Sequence, residues 1–148
     1  MSDRRFLLRT IGVGAVVACG AYQVALGLYF VFWRPSLLPE DLRFMGGSAA
    51  ALRAAAPDVE AWLQWVFAVM GGQMIGVGVL ALLAAKRVRQ DGGASVAEML
   101  LLILAAAATA ALMSVVNFAI GSDFRWALVV PVLLWIFALL SFSGSLRR

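Results

Sequence analysis

Ala61 to Ala85, AWLQWVFAVMGGQMIGVGVLALLAA, runs for 25 residues without a charged side chain. A bilayer core is about 30 Å thick, and a helix rising about 1.5 Å per residue crosses it with roughly 20 apolar residues. Hydrocarbon offers no water to the backbone, so such a segment must satisfy its own amides, and a helix does so. Ile11–Trp33, Val96–Ile120 and Phe124–Phe142 are comparably apolar. The whole chain is 64% hydrophobic and 14% charged, with mean hydropathy +0.95. Soluble domains have about 45–50% apolar and about 25% charged residues. The expected fold is all-α: one transmembrane domain, residues 1–148, forming an integral membrane four-helix antiparallel bundle. Its spans fall at about 11–33, 61–85, 96–120 and 124–142, and residues 34–60 form an outer loop.

Two processing signals compete with a retained first span. Arg4-Arg5 has the look of a twin-arginine signal, and Val16-Val17-Ala18-Cys19 fits a lipoprotein cleavage box. A secretory apolar region is typically about 7–15 residues. The run here continues well past Cys19, so a retained anchor is expected.

The outer loop reads as two short helical pieces. Pro39 opens the first, with Glu40 and Asp41 in its first turn, where carboxylates suit the helix dipole. Gly46-Gly47 ends it. Ser48 caps the second, AAALRAA, and Pro57, Asp58 and Glu60 announce the next span. Leu37, Leu38, Leu42, Phe44 and Met45 make this loop too apolar for a free linker, so it should lie on the bundle mouth or in the interface. Gln90-Asp91-Gly92-Gly93 turns the chain, and Ser95 with Glu98 forms a capping box for the third span. Gly121-Ser122-Asp123 is a tight turn whose Ser122 or Asp123 should cap the fourth. Pro131, inside that span, should kink it near Ala127.

Orientation follows from counting. Arg4, Arg5, Arg9, Lys86, Arg87, Arg89, Arg147 and Arg148 lie on one side, and Arg34, Arg43, Arg53 and Arg125 on the other. Cytoplasmic loops carry the excess of basic residues, so both termini are expected in the cytoplasm. Trp33, Trp62, Trp65 and Trp126 gather at the opposite end as an outer aromatic belt. The net charge of +4 belongs to these flanks, and nucleic acid is not an expected partner.

The reactive inventory is sparse. The chain has no His and one Cys, so no disulfide, CxxC pair or zinc cluster can form within it. Met70 and Met74 share a face and Cys19 lies on another span; soft sulfur suits Cu(I), but apolar packing explains them as well. No metal or cofactor is expected. Every carboxylate lies at or beyond a span end, whereas proton-coupled carriers mark their path with intramembrane acids. Small multidrug-resistance transporters share the size but need a membrane-embedded Glu, and vitamin K type quinone reductases need CxxC. Glu40, Asp41 and Arg43 could make an outer-face site, or serve as caps and solvated pairs.

Two constellations remain. Gly14 with Ala18, Gly72 with Gly76, and Ala110 with Ser114 are small pairs four residues apart, in three spans. Such pairs let membrane helices approach closely, either within the monomer, the preferred reading, or in a dimer. Gln23, Gln73 and Thr109 fall at similar depth near the middle of three spans. Buried amides need partners, so the trio is expected to bond across helices; a polar binding pocket is the other reading. Asn117 lies nearer the outer surface, within reach of loop backbone.

The stretch LLPEDLRFMGG, between the first span and the Trp-rich second, resembles small bacterial inner-membrane proteins of DoxX-like four-helix architecture. The resemblance covers roughly residues 25–85. A later His-Asp-Arg of that family is not matched: Glu60-Ala61-Trp62 stands thereabouts. The resemblance implies architecture and a bacterial inner-membrane location more than activity. The expected function is a non-enzymatic accessory or structural subunit, associating with itself or a larger membrane complex among membrane lipids. The alternative is a binder or carrier of an apolar ligand, a lipid or quinone, beneath the outer loop.

Overall fold

The computed structural model describes residues 2–91 and 94–143. The expected turn at Gly92-Gly93 and the Leu146–Arg148 tail lie outside them. Among the described residues there is helix and no strand: α1 (Ser2–Phe32), α2 (Pro39–Met45), α3 (Ala49–Ala55), α4 (Val59–Gln90), α5 (Val96–Ala106), a π-helical turn (Ala107–Ala111), α6 (Leu112–Ala119) and α7 (Val129–Ser143). Phe6–Phe32, Val59–Gln90 and Ala97–Ala119 are each long and apolar enough to cross a membrane.

Most expected boundaries appear with their expected chemistry. Pro39 is the first residue of α2, Glu40 and Asp41 lie in its first turn, and Gly46 ends it in the left-handed region at φ 65°. The Asp41 carboxylate accepts from the Leu38 N–H at 2.8 Å. Ser48 caps α3 through the Ala51 N–H, at 3.1 Å. Ser95 and Glu98 form a reciprocal capping box on α5. α1 and α4 outrun their apolar stretches because no Gly or Pro stops them: α4 continues through Lys86, Arg87 and Arg89, good helix formers, to Gln90.

The fourth span departs from expectation. Phe124–Leu128 is a series of turns, and helix begins only at Val129. Ser122 therefore caps no helix; its hydroxyl accepts from the Phe124 N–H at 3.2 Å within the turn. Pro131 sits in the first turn of α7, where backbone N–H groups lack intrahelical partners anyway. It removes no interior bond, and the expected kink near Ala127 is absent because there is no helix there to bend.

α1 runs antiparallel to both α4 and α7. Against α4 the contact is backbone to backbone. A Cβ added at Gly27 would lie 2.6 Å from the Gly71 carbonyl oxygen, and one added at Gly78 would lie 2.7 Å from that of Gly20. On α4 the buried positions Gly71, Met74, Gly78, Ala81, Ala84, Ala85 and Val88 recur every three or four residues, with Ala84 and Ala85 side by side. That is the seam of two helices packed at a shallow angle. Against α7, a Cβ at Gly12 would meet the Phe142 ring at 2.9 Å. One core cluster holds Val16, Cys19, Ala81, Ala85, Leu102, Ala110, Trp135 and Phe142 among its members.

Candidate functional site

The midplane trio is divided. Gln23 is fully buried, and its Nε2 donates to the Thr109 hydroxyl at 2.8 Å. Thr109 in turn donates to the Ala105 carbonyl one turn back, at 2.7 Å. This back-bond competes with the backbone ladder and lies at the π-helical turn, a feature often found at functional positions. Gln73 does not join them. It points outward from α4, exposed and without a hydrogen-bond partner among the described residues. The expectation of a three-residue cluster is corrected: Gln23 shares the inner face of α1 with Cys19, whereas Gln73 lies two residues from Gly71, on the far side of α4.

The small pairs divide in the same way. Ala110 and Ser114 are buried, and Ser114 donates to the Leu128 carbonyl at 2.7 Å, tying the third span to the turn before α7. Gly14, Gly72 and Gly76 face outward, and a Cβ at any of them would meet nothing within 4 Å among the described residues. Ala18 is exposed as well. The expected packing of Gly72 and Gly76 within the monomer is therefore corrected. The intrachain contact runs through Gly20, Gly27, Gly71 and Gly78, spaced seven apart on each helix. On α4 this leaves an outward stripe of Val69, Gly72, Gln73, Gly76, Leu80 and Leu83, all exposed. Met70 is exposed and Met74 buried, so the two methionines do not present one sulfur face. Asn117 bonds the Met113 carbonyl of its own helix at 2.9 Å, not loop backbone.

The end that carries α2 and α3 is tied by charge. Arg34, just past α1, lies 3.5 Å above the Phe67 ring of α4 and 3.5 Å from Asp41 of α2. Burial lowers its guanidinium pKa, and the charge of Asp41 opposes the shift. Glu40 is 3% exposed and accepts from the Ser122 hydroxyl at 3.3 Å. Arg43 does not face Glu40 and Asp41, as an outer-face site with them would require. It pairs with Asp123 at 2.8 Å, in the open. These contacts clasp α2 to the 121–128 turn. Sequence reasoning missed Arg34; its signal was a lone arginine between an aromatic run and an acidic helix start. Trp33, Trp62, Trp65 and Trp126 are all exposed at this end. An open groove of about 370 Å³ lies along Ala56–Val59 and Trp62, and another of about 240 Å³ between α2 and α3. Neither is lined by Gln23, Gln73 or Thr109.

Three apolar spans with outward-facing apolar side chains define an integral membrane protein of the helical class. Set against known families, characterised proteins and solved structures, the chain matches none.

Proposed function

We propose that this chain is a non-enzymatic accessory or structural subunit that associates laterally, with itself or with a larger membrane complex, through the outer face of α4. The supporting observation is Gln73. It is an amide in the middle of a membrane-length helix, exposed and without a partner among the described residues. A lone amide facing hydrocarbon costs free energy until it finds a partner. Gly72 and Gly76 flank it with open space, so a second helix can come close enough to supply one. An amide both donates and accepts, so an identical amide would serve.

The proposal includes the fuller architecture: a four-helix antiparallel bundle of DoxX-like form, α7 with its preceding turn as the fourth span, both termini cytoplasmic, in a bacterial inner membrane. The test is extraction of tagged wild type and Gly76→Leu into native nanodiscs, with particle mass and co-purifying proteins read by mass spectrometry. The reading expects an assembly larger than one chain for wild type and its loss in the variant. A single chain surrounded only by lipid in both would refute it.

A further inference from the structure

The two ends of the α1–α4 pair are charged unequally. In the sequence, the end that carries α2 and α3 has four basic and five acidic residues, and the other end has eight basic and three acidic. Their pairing differs as well. At the α2–α3 end Arg34, Arg43 and Arg53 meet Asp41, Asp123 and Glu60 respectively, and Arg125 donates to the Ser122 carbonyl. At the other end Arg9, Lys86, Arg87 and Arg89 have no carboxylate within ion-pair distance among the described residues. Glu98, on the helix that follows, is held by the Ser95 backbone and hydroxyl.

The helix register gathers three of these cations. Gly27 faces Gly71 and Gly20 faces Gly78, so seven residues back along α1 match seven forward along α4. The next such step sets Val13 against Ala85, and Val13 does pack on the core cluster that holds Ala85. Four residues further along each helix stand Arg9 and Arg89, at the end of the seam. Lys86 is three residues before Arg89, a spacing that shares a helix face. Packed helices have axes about 8–10 Å apart, and two long, flexible side chains can converge on one group across that gap.

The surroundings say what kind of anion fits. Arg9 lies within the membrane-length stretch Phe6–Phe32 and is partly buried, its guanidinium 5.6 Å from the centre of the Phe6 ring. Phe6, Leu7 and Ile11 around it are exposed. A charge at the margin of hydrocarbon needs a counter-charge. A free inorganic anion would supply it and leave the apolar side chains bare. A phospholipid supplies both a phosphate and acyl chains, and basic pockets between membrane helices recognise anionic headgroups.

We infer that Arg9, Lys86 and Arg89, at the end of the α1–α4 seam, form a binding site for the phosphate of an anionic phospholipid, with its acyl chains along the exposed apolar side chains of α1. Arginine suits the role because its planar fork meets phosphate oxygens two at a time. The site does not depend on lateral association through α4 or on which way the chain crosses the membrane.

The test is native mass spectrometry of the full chain, delipidated in mild detergent and titrated with phosphatidylglycerol or with phosphatidylcholine of the same acyl chains. Bound lipid is counted per chain. The wild type should take up phosphatidylglycerol about fivefold or more in preference to phosphatidylcholine. That preference should fall to near parity in the double variant Arg9→Gln, Arg89→Gln and persist in Arg43→Gln, Arg53→Gln, where the cations are paired within the chain. Millimolar inorganic phosphate should not displace the lipid. Equal uptake of the two lipids by the wild type would overturn the inference, and a misfolded variant cannot obscure that result. So would an undiminished preference in the Arg9, Arg89 variant, or ready displacement by phosphate, which would mark a site for a free anion.

Discussion

Gly27 on α1 and Gly71 on α4 face each other so closely that a Cβ on either would lie about 2.6 or 2.5 Å from the other's carbonyl oxygen. The obstacle is backbone, which cannot swing aside as a flexible side chain would. Gly71→Ala and Gly27→Ala should therefore lower thermal stability in detergent, by the about 1–3 kcal/mol typical of overpacking. Gly72→Ala, one residue away, should be neutral or slightly stabilising, since Ala is the better helix former. Melting curves of the three variants decide it, and the reverse order would misplace the seam.

Gln23 and Thr109 should respond unequally to substitution. Thr109→Val strands the whole buried amide, and a stranded buried group costs about 1–3 kcal/mol. Gln23→Leu removes the amide and leaves Thr109 still bonded to Ala105. Its cost should stay near the ~0.6 kcal/mol average of membrane hydrogen bonds. Equal losses in thermal unfolding would count against the assigned donor and acceptor roles.

Arg34 should matter more than Arg43. Stacked on Phe67 and partly desolvated, Arg34 makes a cation–π contact of the kind worth up to about 2 kcal/mol. The Arg43–Asp123 pair is exposed on both sides, and such pairs contribute about 0–1 kcal/mol. Arg34→Ala should lower the melting temperature clearly and Arg43→Ala barely. Arg34→Lys should not restore it fully, because an ammonium cannot lie flat on a ring.

Much of the fold is legible in the residues. Length and apolarity mark the spans, and Pro39, Gly46, Ser48 and the Ser95–Glu98 box mark helix ends through local backbone chemistry. What depends on a partner helix is not legible. The GxxxG spacing draws the eye to Gly72 and Gly76, yet the seam uses Gly71 and Gly78, because face is settled by where α1 lies. Gln73 and Gln23 look alike in sequence for the same reason. Pro131 reads as a kink only if helix precedes it, and residues 124–128 instead form turns, with the Ser114 hydroxyl donating to the Leu128 carbonyl. The Gln23–Thr109 bond, by contrast, follows from matched depth in two spans.

The proposed orientation, with both termini cytoplasmic, rests on the eight-to-four distribution of basic residues. In a Cys19→Ala background, Ser48→Cys should react with a membrane-impermeant thiol reagent in intact cells, and Gln90→Cys should react only after lysis. Labelling of Gln90→Cys alone in intact cells would invert the topology.

The outer face of α4 as a lateral contact is tested most directly by photocrosslinking in native membranes. A photoreactive residue replaces Leu80, on the Gln73 stripe, or Leu104, equally outward on α5. The expected result is protein adducts from position 80, lipid adducts alone from position 104, and loss of the position-80 adducts when Gly76→Leu is added. Lipid adducts alone from both positions, or position-80 protein adducts undiminished by Gly76→Leu, would contradict the assignment.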